Sequence, residues 1–152
     1  MSFETVKLEG FSDLDRAFED LSAATGKNVL LRAAIAAAEP MARAMRSLAP
    51  KDELDLSESI DVSTKLSDRQ AKMHRKMFRN DRDAVEVFVG PGPDPAAHIQ
   101  EFGTEHVTPQ PFARPAFDQE WRGFIDKARV EIADQLERAA ARAARKAARA
   151  GI

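Results

Sequence analysis

Between residues 103 and 115 the backbone has unusually little freedom. Gly103 permits a sharp turn with φ above zero. Pro109, Pro111 and Pro115 each fix φ and remove a backbone donor. A segment so short of N–H groups cannot form a central strand, so it must run as a stiff, irregular connection. Phe112 within it and Phe102 and Phe117 at its two ends supply large apolar side chains. A stiff loop loses little entropy on ordering, which suits it to docking against a partner surface.

Helical spacing dominates the rest of the chain. Ser12 and Asp15 have capping-box spacing, and Leu14, Ala17, Phe18 and Leu21 recur as in a helix, so a short helix is expected over 12–24, broken at Thr25-Gly26. A second helix is expected over 27–48. Its apolar stripe comprises Leu30, Ala33, Ala34, Ala37, Met41, Ala44, Met45 and Leu48, with a kink at Pro40 and an end at Pro50. Leu54, Leu56, Ile60 and Val62 alternate with polar residues as in a half-buried strand, Glu58 being the exception. Val85, Val87 and Val89 mark a second strand. The tract 67–81 between them is polar and basic, either an amphipathic helix or an insertion. Residues 90–95 form a loop, and 96–102 a short helix entering the Gly103 turn. From 117 to about 148 there is no proline, and Phe117, Trp121, Phe124, Ile125, Ala128, Ile132 and Leu136 form an apolar stripe. Beyond Leu136 the chain is almost pure Ala and Arg.

These elements predict an α+β fold: a small antiparallel sheet packed against a long kinked helix and a long C-terminal helix. Residues 1–137 form one domain and 138–152 a basic helical extension. The 152 residues suffice for one core, and the net charge of −2 does not mark the whole molecule as a nucleic-acid binder. Cysteine is absent, so disulfides and thiolate metal sites are excluded. No apolar run approaches a membrane span and the first residues lack a signal-peptide plan, so a soluble protein made in the cytoplasm is expected.

Few residues invite a chemical role. His98, Glu101, Glu105 and His106 lack the tight spacing of a metal site. Ser57, Ser59 and Asp61 carry no nucleophile-elbow motif, and the prolines of Gly90-Pro91-Gly92-Pro93 remove the N–H groups a phosphate loop needs. No catalytic residue, metal or cofactor is assigned. Two basic tracts stand out. Arg69, Lys72, Arg75, Lys76 and Arg79 form one. Arg138, Arg142, Arg145 and Arg149, spaced four, three and four apart, form the other, with Lys146 beside them and no acid after Glu137. Each reads either as a contact for DNA phosphate or an acidic neighbour, or as a solvated face. Glu101 reads as a turn or capping carboxylate within one subunit in preference to an inter-subunit partner of Arg114.

The order Glu101-Phe102-Gly103-Thr104, then Pro111-Phe112-Ala113-Arg114-Pro115-Ala116, resembles the neck and tail-completion proteins of long, non-contractile-tailed phages, which show E-F-G-T followed by P-F-x-R-P-A. Upstream, Pro50, Leu56, Ser59, Ile60 and Val89-Gly90 also fall in that family's order, although its Thr-Gly pair is replaced by Glu53 and Leu54 and its tyrosine before the turn by Ala96. The resemblance implies a structural virion protein, not an enzyme. It implies a homo-oligomeric ring at the head–tail junction, six-fold in preference to twelve-fold, around a channel for DNA. Head-completion, tail-terminator or tail-tube proteins would be its neighbours. Glu101, Phe102, Gly103, Thr104, Pro111, Phe112, Arg114 and Pro115 would lie at the subunit interface. A small nucleic-acid-binding module using the basic tracts is the alternative.

Overall fold

The computed structural model describes residues 23–51, 54–77, 84–93 and 95–151. The chain runs α1 (Ala23–Leu48), α2 (Leu54–Ser59), β1 (Asp61–Ser63), α3 (Asp68–Met77), β2 (Phe88–Gly90), α4 (Pro95–Phe102) and α5 (Ala113–Arg149). The architecture is α+β: a two-stranded antiparallel sheet packs on α1, and α1 packs along α5. No helix among the described residues is long and apolar enough to cross a membrane. Residues 12–22 of the expected first helix lie outside the described residues. Thr25-Gly26 does not break the chain; both sit within the first turn of α1, before the main packing begins.

Helix α1 continues through Pro40 without interruption. Its buried line is Val29, Ala33, Ala37, Met41, Met45 and Ala49, one residue every four. Ala33, Ala37, Met41 and Met45 of the expected stripe are buried, whereas Leu30, Ala34 and Ala44 are half-buried and Leu48 is 43% exposed. Three of these six buried residues are alanines, which let another backbone come close. That neighbour is α5, and the two helices run antiparallel. Val29 packs with Leu136 and Ala139, whereas Met41, Ala42, Met45 and Ala49 share a cluster with Phe112 and Ala116. At about 1.5 Å per residue, Val29 to Ala49 and Ala116 to Leu136 both span roughly 30 Å, so the two helices stay in register along this length.

The segment expected to begin the first strand is helical. Alternation over Leu54, Leu56, Ile60 and Val62 had Glu58 on the wrong face, and the structure resolves that conflict. Leu56 and Ile60 are four apart, lie on one side of α2 and its exit, and are 0% and 1% exposed. Only Asp61–Ser63 pairs with β2, with Asp61 opposite Gly90, Val62 opposite Val89 and Ser63 opposite Phe88. Two such short strands are marginal alone, and here Val62 and Val89 pack onto the core cluster. Arg46 ties this layer to α1: its Nε donates to the Ile60 carbonyl (2.9 Å), Nη1 lies 3.0 Å from Glu39 and Nη2 3.6 Å from Asp61. The Ser57 hydroxyl donates to the Arg46 carbonyl at 3.3 Å.

Leu56→Ala should destabilise the protein by about 3 kcal/mol, the typical cost of a core cavity. Leu48→Ala, on the exposed side of α1, should cost under about 1 kcal/mol. Urea denaturation of the two variants measures the difference.

Candidate assembly surface

Helix α4 ends where Gly103 takes φ 71° and its N–H reaches the Ile99 carbonyl at 2.7 Å, an αL termination. A Cβ at Gly103 would lie 2.7 Å from the Val107 carbonyl oxygen and 2.9 Å from the Pro109 nitrogen, so glycine is required by space as well as by φ. The chain then closes a tight loop. Thr104 and Val107 exchange backbone hydrogen bonds at 2.9 and 3.3 Å, and the Thr104 hydroxyl accepts from the His106 and Val107 N–H groups. Gln110 N–H donates to the Gln100 carbonyl at 2.7 Å, which returns the stiff segment to α4.

That return delivers the start of α5 to Glu101. Phe112 stands at the N-cap of α5 and offers no side-chain hydrogen bond. Glu101 supplies what it lacks. Its Oε2 accepts from the N–H groups of Phe112 (2.8 Å) and Ala113 (3.0 Å), and its Oε1 accepts from Arg114 N–H (3.1 Å) and Arg114 Nε (3.0 Å). The next residue, Pro115, has no N–H to satisfy. Arg114 Nη2 also donates to the Glu101 carbonyl at 3.2 Å. Glu101 is 6% exposed. Burial pushes its pKa up, but the backbone N–H groups of Ala113, Phe112 and Arg114, with the Arg114 side chain, outweigh burial and hold it below its ordinary 4.5.

The residues expected at a subunit interface therefore separate into three groups: buried, half-buried and exposed. Glu101 and Phe112 are interior to the single chain. Phe112 is 1% exposed and sits in the core cluster, so the aromatic anchor expected at an interface serves the subunit's own core. Gly103 and Pro115 are half-buried, while Thr104 and Pro111 are exposed. Phe102 and Arg114 face outward: Phe102 is 48% exposed, with the Arg114 guanidinium 5.0 Å from its ring centroid and the His98 ring 4.9 Å away. Ile99 and Val107, at 37% and 41% exposed, add apolar surface that the sequence reading did not single out.

A second apolar feature lies where a closed core was expected. Phe117, Trp121, Phe124 and Ile125 of α5 form one wall of an open groove of about 370 Å³, with Ala38, Met41, Val87 and Val89 completing it. Phe117 is 54% exposed. The basic tracts are also placed. Arg69 and Lys72 are exposed on α3; Arg79 and the side chains of Arg75 and Lys76 lie outside the described residues. His74 anchors α3 to the sheet, edge-on to Phe88 with ring centroids 5.4 Å apart and 3.6 Å from Glu86. Arg138, Arg142, Arg145 and Arg149 are exposed on α5, and among the described residues Arg138 alone of the four forms an ion pair, with Asp134 at 3.0 Å. Among the described residues, no group of three His, Cys, Asp or Glu side chains is arranged to hold a metal. The hydroxyls of Ser57 and Ser59 are both donated to backbone carbonyls.

Glu101→Ala should cost about 3 kcal/mol or more, because it strands buried donors that met a charged acceptor. Because the folded pKa is the lower one, the stabilisation from Glu101 is complete above about 4.5 and fades as pH falls through the folded value. Glu101→Gln should remove that part of the acid sensitivity, read from denaturation midpoints between about pH 3 and pH 6. Gly103→Ala should cost about 2 kcal/mol or more from backbone strain and collision together.

Residues 12–103 match the family model described as a bacteriophage HK97-gp10 tail component. No curated protein and no solved structure matches the chain. The matched stretch includes Glu101, Phe102 and Gly103 and stops before the proline-rich return and α5. It spans well over half of the sequence, and the chain belongs to the HK97-gp10-like family of phage tail components.

Proposed function

We propose that this tail component is a ring-forming neck or tail-completion subunit at the head–tail junction, six-fold in symmetry, around a channel for DNA. Head-completion, tail-terminator or tail-tube proteins are its axial neighbours. The observation that carries the reading is the outward apolar face around the Glu101 clasp: Ile99, Phe102 and Val107, with Arg114 over Phe102. Aromatic and arginine side chains are the types that dominate interface energetics. The rigid clasp beneath them means that little order has to be gained on binding.

A ring requires head-to-tail contacts, in which each subunit presents two different patches. The chain offers two. One is the Phe102 face, and the other is the groove walled by Phe117, Trp121, Phe124 and Ile125. In this reading the face of one subunit seats in the groove of the next.

Phe102→Ala and Phe117→Ala should each weaken self-association roughly thirtyfold, the effect of losing about 2 kcal/mol at a hot spot, while denaturation midpoints barely move. Mixing the two variants should restore one intact interface per pair and give dimers but no rings, as measured by light scattering after gel filtration. Variants that assemble like the parent, or a mixture that stays monomeric while the parent forms rings, would refute the pairing.

A further inference from the structure

We propose that residues 138–149 of α5 bind the phosphate backbone of double-stranded DNA without reading its sequence. The charge is segregated: 138–152 carries five cations and no acid, so with −2 for the whole chain the preceding residues carry −7. Arg142, Arg145, Lys146 and Arg149 are exposed, and no ion pair is made by any of them among the described residues. These four side chains alone line a cleft of about 220 Å³. A neighbouring cleft of about 550 Å³ is lined by Glu137, Arg138, Ala141, Arg142 and Arg145. The clefts share Arg142 and Arg145 and so form one row, which spans roughly 16 Å from Arg138 to Arg149 at helical rise. An anion in the first cleft would meet four cations and no carboxylate.

The chemistry favours nucleic acid over an acidic protein. From Ala140 to Ala150 the face holds no apolar side chain larger than alanine. Protein interfaces draw their affinity from large buried anchors inside a polar rim, and this surface has none to offer. Phosphate binding needs no such anchor: neutralised charge and released counterions suffice, and sequence is ignored. The cations sit on a helix of high intrinsic propensity, so their spacing is held without a packed core beneath them.

The inference rests on the tail-component reading only for the source of the DNA, because binding is measured on the full soluble chain whether or not it forms rings. The probe is a fluorescent duplex of random sequence, titrated by anisotropy. Four phosphate contacts predict a log–log salt slope near −3.6, or roughly a hundredfold loss of affinity between about 50 and 200 mM salt. Changing Arg142, Arg145, Lys146 and Arg149 together to alanine should abolish that salt-dependent binding, and circular dichroism should be unchanged since alanine keeps the helix. Changing the three arginines to lysine keeps the charge and should hold affinity within about threefold, as expected for point contacts to phosphate. Parent-like binding by the alanine variant would overturn the proposal, as would a flat salt response. Failure of the parent to bind duplex at low salt, with the alanine variant lost from assembled particles, would assign the face to an acidic protein neighbour instead.

Discussion

The carboxylate of Glu101 is the contact on which the two ends of the fold depend. A helix of 37 residues begins at Ala113 with no cap of its own, because phenylalanine stands where serine or aspartate would serve. Its first N–H groups are satisfied by an acid twelve residues upstream, and its third residue is a proline with no donor to satisfy. That arrangement lets Phe112 enter the core as a whole ring. The same carboxylate lies in the positive field of the helix N-terminus, where a negative charge is favoured. Arg114 then binds the carboxylate from outside and covers Phe102, so one anion links the buried cap to the exposed face. Gly103 and the prolines matter because they bring the chain back to this acid.

The core that this cap anchors is built from small side chains. Val29, Ala33, Ala37, Met41, Met45 and Ala49 let α1 and α5 lie close over about 30 Å. Close approach between backbones leaves little room for large rings between them. Trp121 and Phe124 pack against the edge of the core cluster, and with Phe117 and the sheet they wall an open groove. Apolar surface is thus left open along the groove, with Phe117 54% exposed.

Much of this was legible in the sequence, for identifiable reasons. The long helices were readable because their periodicity persists over many turns, which local accidents do not erase. The Gly103 turn was readable because only glycine tolerates that geometry. The segment around Leu56 is too short for alternation and helical spacing to be told apart, so it reads as a strand although it is helical; Glu58 on the apolar face is the one warning. An aromatic flanked by prolines suggests a loop, whereas Phe112 stands at the N-cap of a helix and is buried in the core. The clue was an absence: Phe-Ala-Arg-Pro opens a helix without a capping residue, so an acceptor had to come from elsewhere, and Glu101 was the acid beside the turn. Arg46 carried no such signal. Its role depends on α2 and β1 presenting a carbonyl at Ile60 and a carboxylate at Asp61, which only the folded chain brings together.

The C-terminal half of α5 obeys a different physics from the first. Up to Ala139 the helix packs on α1, through Ala116 near its start and Ile132, Leu136 and Ala139 further along, and sequence there is constrained by volume. Beyond it the buried surface ends, and alanine with arginine is sufficient, since propensity alone must hold the helix. An isolated helix of that length would be marginal in water because nucleation is costly. Here nucleation has already occurred in the packed portion, so the cationic turns need only propagate from it. The Glu101 cap at one end thereby supports an ordered row of charge at the other, roughly 50 Å away along the same helix.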